Sequence, residues 1–195
     1  MKDVRKLETF MKLLHDVERV KRVAQRPDET EYTSTAEHTF ELVLMCWYIM
    51  QTDNLELNHQ KVFMYALAHD LVEGWAGDTY IGDAAGQATK SAREHAAKEK
   101  MKKTFMEFPE LIEAIESYEK REDPESIFVY AADKLIDPLN ASMETKPTYW
   151  KKQDLSFKET CDYKDEKIAP SDAIQPYWEQ VRKKLGDNES FYFNT

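Results

Sequence analysis

Three stretches of this chain are apolar on most sides at helical spacing, and they limit what it can fold into. They are "FELVLMCWYIM" (Phe40 to Met50), the segment from Val62 to Leu71, and "SIFVYAADKLI" (Ser126 to Ile136). A helix with almost no polar face has to lie inside a shell of other elements. The remaining segments can supply that shell. In "VRKLETFMKLLHDVERVKRV", Leu7, Phe10, Met11, Leu14, Val17 and Val20 form the stripe of an amphipathic helix. A charged helix is predicted from about Ser91 to Met106, and "PELIEAIESYEKRED" opens on Pro109, a favoured first-turn residue. With only five Gly and seven Pro in 195 residues, the chain reads as all-α. We expect a single domain over 1–195, a helical bundle with its core at about 7–140. Residues 144–195 read as a loop-rich extension with one helix near Ile174 to Leu185.

Local signals set the helix limits. Ser34 and Glu37 match a capping box, which puts His38 in the first turn of the second helix. Gly74 and Gly77 mark the end of the helix that carries His69 and Asp70. The connectors "AQRPDETEYT", "QTDNLELN" and "AGDTYIGDAAGQATK" read as loops.

A net charge of −10 argues against a nucleic-acid polymer as partner, because phosphate backbones are bound by basic surfaces. One locally positive pocket could still take a small phosphorylated molecule. Cys46 lies in an apolar helix and reads as core, Cys161 lies in a polar, loop-like segment, and no CxxC pair offers thiolates to zinc. No apolar leader follows Met1, and "FELVLMCWYIM" carries Glu41 and falls short of the roughly 20 residues that span a bilayer. A cytoplasmic protein without a membrane partner is the expectation.

Against this background four ionisable residues stand out. His38, His69 with Asp70, and Asp133 each sit in a helix that otherwise tolerates little charge. Unpaired charge in an apolar setting costs several kcal/mol, so such groups have partners. Two imidazoles and two carboxylates suit one divalent ion such as Mn, Co, Ni, Fe or Zn, with positions left open for water and substrate. The alternative is a set of hydrogen-bonded core residues, and spacing does not decide between the two. Glu73 follows His69 by one helical turn, and Asp78 lies in the loop beyond. Carboxylates placed beside a metal orient its water or take its proton. A second His-Asp pair, His15-Asp16, lies on an amphipathic helix and reads as surface, as do His59 and His95.

With these residues in place the chain resembles the HD-domain phosphohydrolases, in particular the branch with the bacterial 5′-deoxynucleotidases. The matching pieces are "TAEHTFELVLM", "HDLVEGWAGDTY", "AAGQATKSAREHAAKEKM" and "ESIFVYAADKLIDPL", in the family's order. The resemblance implies an all-helical fold with one divalent metal held by His38, His69, Asp70 and Asp133. It implies attack of a metal-bound water on a (deoxy)nucleoside 5′-monophosphate, releasing phosphate, with Glu73 positioning or deprotonating that water and Asp78 near the substrate. It also implies a homodimer. Relatives usually carry an Arg before the first His motif for phosphate binding, often in a stretch like "RREN", where this chain has "EYTS". Arg22 is our candidate for the phosphate contact, with Arg19 and Arg26 as rivals. The 5′-deoxynucleotidases also tend to have a proline after the loop's "GD", where this chain continues "TYIGD". Other branches suggest two alternatives, a phosphodiesterase or an alarmone hydrolase, and a non-catalytic metal- or nucleotide-binding module remains as a third.

Overall fold

Helix α1 (Val4–Arg19) starts where the Asp3 carboxylate accepts the Arg5 N–H, and it buries Leu13 and Val17. The computed structural model describes residues 3–80, 83–146, 149–152 and 156–194. Ile81 and Gly82 of the expected "GDTYIGD" loop lie outside them. The helix does not run on to Val23 as the apolar stripe predicts. Val20 is already extended, and β1 (Lys21–Gln25) pairs antiparallel with β2 (Tyr32–Ser34), Lys21 opposite Ser34 and Gln25 opposite Tyr32. Val20 and Val23 are β-branched and favour extended backbone. The stripe is also narrower than expected, since Leu7 and Met11 stay exposed.

The capping box forms as read. Glu37 Oε2 accepts the Ser34 N–H at 2.7 Å and Ser34 Oγ accepts the Glu37 N–H at 3.2 Å, starting α2 (Thr35–Thr52). This helix buries His38, Leu42, Cys46, Ile49 and Met50, yet leaves Phe40, Leu44, Trp47 and Tyr48 exposed, so it is not buried all round. Helix α3 (His59–Ala68) ends one residue before His69. The chain then tightens: the Leu71 N–H donates to the Ala68 carbonyl at 3.2 Å and the Glu73 N–H to the Asp70 carbonyl at 3.0 Å, each reaching back three residues. A short α4 (Glu73–Ala76) follows and stops at Gly77, whose φ of 76° favours glycine. His69 and Glu73 are therefore not on one continuous helix face, as their spacing implied.

Helix α5 (Ala84–Thr104) begins before Ser91, because the Asp83 carboxylate caps it through the Gly86 N–H at 3.0 Å. Helices α6 (Pro109–Lys120) and α7 (Pro124–Ala141) follow, the latter buried at Phe128, Val129, Ala132, Asp133, Leu135 and Ile136. The extension holds more helix than expected: α8 (Tyr149–Lys152), α9 (Phe157–Ile168), α10 (Gln175–Asp187) and α11 (Glu189–Tyr192). Cys161, read as loop, is buried in α9. The face that α9 buries is Thr160, Cys161, Lys164 and Ile168, too polar to show as a hydrophobic stripe.

Helices α2, α3 and α7 touch one another. Helix α1 lies against α2 and α4, α6 covers α3 and α7, and α9 and α10 pack on α7. Side chains such as Leu42, Val62, Phe128 and Leu135 are buried where the central helices meet, each contributing about 1.5–3 kcal/mol. Among the described residues, no helix is long and apolar enough to cross a membrane.

Candidate active site

Each central helix brings its ionisable groups to one point. His38 comes from the first turn of α2, His69 and Asp70 from the tightened turn after α3, and Asp133 from the middle of α7. His38 Nε2 lies 2.9 Å from Asp133 Oδ1 and 3.9 Å from Asp70 Oδ2. His69 Nε2 lies 2.9 Å from Asp70 Oδ2. Ligating atoms of His38, His69 and Asp133 all fall within 4.8 Å of one another.

The tautomer of His69 is set from behind. Its Nδ1 donates to the Ala66 carbonyl at 2.9 Å, which leaves Nε2 as a lone pair facing the cluster. That nitrogen is buried and makes no hydrogen bond. A buried, unsatisfied nitrogen beside carboxylates is what a metal ligand looks like without its ion. Two imidazole nitrogens with carboxylate oxygens match the preference of divalent transition metals, so the residues fit such an ion.

The carboxylates around His69 favour positive charge at this point, whether a metal ion or a proton on Nε2. Burial disfavours charge at His69, but Asp70 and Asp133 outweigh it and raise the His69 pKa. Burial would likewise raise Asp70 and Asp133, yet His69 and Arg22 hold the first below the carboxylate range, and Lys134 and His38 the second. Glu73 goes the other way: burial, then the nearby Asp70 and Asp78 carboxylates, push its carboxyl well above the usual value. Its Oε2 accepts the Thr35 hydroxyl at 2.9 Å.

The cluster opens on a cleft of about 290 Å³, lined among others by Arg22, Asp70, Glu73, Asp78, Asp133 and Asp137. Arg22 reaches it from β1, not from a helix end. Its guanidinium donates to Asp70 Oδ2 at 3.3 Å and to Asp137 Oδ2 at 3.5 Å. The two rivals point elsewhere: Arg19 pairs with Asp16 on the exposed side of α1, and Arg26 pairs with Glu29, Glu37 and Glu41. Asp78 sits in the loop after α4, where its carboxylate accepts the Thr79 N–H at 2.8 Å. Arg93 of α5 holds this loop through the Ala76 carbonyl and the Thr79 hydroxyl.

Sequence reasoning missed several lining residues. Asp137 stands one helical turn after Asp133, a spacing that could have flagged it. Lys134, whose ammonium donates to Asp133 Oδ2 at 2.6 Å, is a lone cation in an apolar helix and was equally visible. Thr160, Tyr163 and Lys164 come from α9, which carries no hydrophobic signal. His15 is exposed on α1, and His59 and His95 are exposed as expected.

Comparison with known proteins follows the same lines. The sequence profile described as HD domain matches residues 11–175. The 5′-deoxynucleotidase HDDC2 of Bos taurus is 28% identical over 155 residues, 73% of this chain and 72% of that protein. The protein of the same name from Homo sapiens is 29% identical over 155 residues, with the same shares covered. Among solved structures, a predicted metal-dependent phosphohydrolase from Magnetospirillum magnetotacticum superposes with a TM-score of 0.82 at 21% identity, over 98% of each chain. An HD-domain phosphohydrolase from Listeria innocua gives 0.60 at 16% identity, over 93% of this chain and 86% of its own. The helical fold is shared with both structures, and with the profile spanning most of its length this chain belongs to the HD domain family.

Proposed function

We propose that this chain is a metal-dependent phosphomonoesterase acting on a small phosphorylated metabolite, a (deoxy)nucleoside 5′-monophosphate. The observation that carries the reading is the buried cluster of His38, His69 and Asp133, with an unsatisfied His69 Nε2 and the half-buried Asp70 beside it, on a cleft that also holds Glu73 and Arg22. The relatives named 5′-deoxynucleotidase support the choice of substrate. A divalent ion held by those four residues would supply Lewis-acid polarisation of a phosphoryl oxygen and a more acidic water.

The chain's own groups do the rest. Glu73, with its pKa raised by burial and by Asp70 and Asp78, is a stronger base than an ordinary carboxylate and takes the proton of the attacking water, and Thr35 fixes its orientation. As the water oxygen bonds to phosphorus the ester P–O bond breaks, and the proton that Glu73 took from the water is returned to the leaving oxygen; Asp78 lines the same cleft. Arg22, tied to Asp70 and Asp137, presents a fixed cation to the charge that builds on the phosphoryl oxygens. A cleft of about 290 Å³ suits a small molecule rather than a polymer, in line with the net charge of −10. The same reading places the protein in the cytoplasm as a homodimer, and the exposed row of Phe40, Leu44, Trp47 and Tyr48 on α2 is the face it offers a second copy.

The deciding experiment strips the protein of metal, restores Mn, Co, Ni, Zn or Mg singly, and measures phosphate release from ribo- and deoxynucleoside 5′-monophosphates beside a phosphodiester. Metal-dependent release from the monoesters is the expected result. Cleavage of the diester alone would move the assignment to a phosphodiesterase, and a protein that binds metal but cleaves neither would be a non-catalytic module.

A further inference from the structure

Helix α7 contains a gap that α9 fills. Pro138 lies inside α7 and has no N–H, so the Lys134 carbonyl four residues earlier loses its helical donor. The Lys164 ammonium, reaching over from α9, donates to that carbonyl at 2.7 Å. This bond anchors one of three ammonium N–H groups and leaves the charge itself unmatched.

The other cations of the cleft are matched. Arg22 lies within reach of Asp70 and Asp137, Lys134 lies 2.6 Å from Asp133 Oδ2, and Lys90 lies 3.6 Å from Glu94 on the exposed side. Lys164 lines the same cleft, is 8% exposed, and among the described residues has no carboxylate within ion-pair distance. Burial pulls its pKa down to about 8; Asp137 and, more weakly, Asp133 oppose the shift, while Lys134 and Arg22 add to it. A desolvated ammonium with no carboxylate in direct contact is stabilised by an anion entering the cleft.

We infer that Lys164 is a substrate-contact residue: held in register by the carbonyl that Pro138 leaves free, it meets the phosphoryl group in the cleft it shares with the His-Asp cluster. The C-terminal extension thereby completes the anion site. The inference rests on the phosphomonoesterase reading above, but it can be tested without turnover.

The experiment uses the full chain loaded with Mn²⁺ and measures inorganic phosphate binding by calorimetry, thermal stability, and KM and kcat for a nucleoside 5′-monophosphate. Lys164→Met is expected to weaken phosphate binding and raise KM about tenfold or more, with a smaller change in kcat. It also orphans the Lys134 carbonyl, so a second variant separates the two roles. Pro138→Ala restores the helical N–H, and Pro138→Ala combined with Lys164→Met is expected to regain thermal stability while phosphate affinity stays low. If the combined variant binds phosphate like Pro138→Ala alone, Lys164 serves only the helix and the inference is wrong. A wild-type chain that binds phosphate but cleaves no monoester would overturn the proposed function and leave the Lys164 comparison readable. A Mn²⁺-loaded wild type that does not bind phosphate would overturn the inference directly.

Discussion

The chain contains the dipeptide His-Asp twice, and the two copies have little in common beyond their letters. His15 is exposed on α1 and Asp16 pairs with Arg19 at 3.1 Å on the solvent side. His69 is 5% exposed, its Nδ1 is engaged with the Ala66 carbonyl, and its Nε2 faces Asp70, with Asp133 and His38 alongside. An exposed ion pair is worth about 0–1 kcal/mol because water screens it. The same groups out of water are held in place by one another, and removing one leaves the rest uncompensated. The environment, not the dipeptide, separates a buried cluster that could hold a metal from a surface ion pair.

The largest expected effect comes from breaking the buried copy. His69→Ala or Asp70→Ala should abolish both bound metal, read by elemental analysis of the purified chain, and phosphate release. Retained metal at full stoichiometry in either variant would remove these residues from the ligand set.

A smaller loss is expected beside the cluster. Glu73→Gln should keep the metal and lower kcat about 10²-fold or more, since it removes the proton acceptor and preserves the shape. A variant with normal turnover would make Glu73 a structural partner of Thr35.

A carboxylate remote from both dipeptides sets an intermediate scale. Asp123 caps α7 through the Ser126 N–H at 2.7 Å and accepts the Tyr65 hydroxyl at 2.7 Å. Burial would raise its pKa, but these bonds and Lys61 bring it down from 3.8 to about 2. The unfolded chain then binds more protons between those values, so the stabilisation is complete above the higher value and fades as pH falls through the lower one. Asp123→Ala should cost about 1 kcal/mol at pH 7, with a difference in denaturation midpoint that shrinks toward pH 2. A constant difference across that range would assign the loss to packing.

The smallest effect belongs to the exposed copy. Asp16→Ala should leave metal content and kcat unchanged and shift stability by less than about 0.5 kcal/mol in urea unfolding. Lost metal in that variant would reverse the comparison between the two dipeptides.

Much of this protein could be read from its residues one segment at a time. The helical class, the capping box at Ser34 and Glu37, the stop at Gly77, and the presence of ionisable groups in apolar helices are local properties of side chains and backbone. What required the tertiary structure was the set of relations between segments. Arg22 stands on a strand because Val20 and Val23 leave the helix early, and only chain pairing shows it reaching Asp70 and Asp137. The turn at His69 tightens to three-residue hydrogen bonds, which spacing on an ideal helix does not foresee. Lys164 illustrates the limit most clearly. Its role follows from a carbonyl that a proline in another helix leaves without a donor, 30 residues away in sequence. Periodicity reports which face of a segment avoids water. Which charge meets which carbonyl is decided by packing, because that depends on two backbones at once.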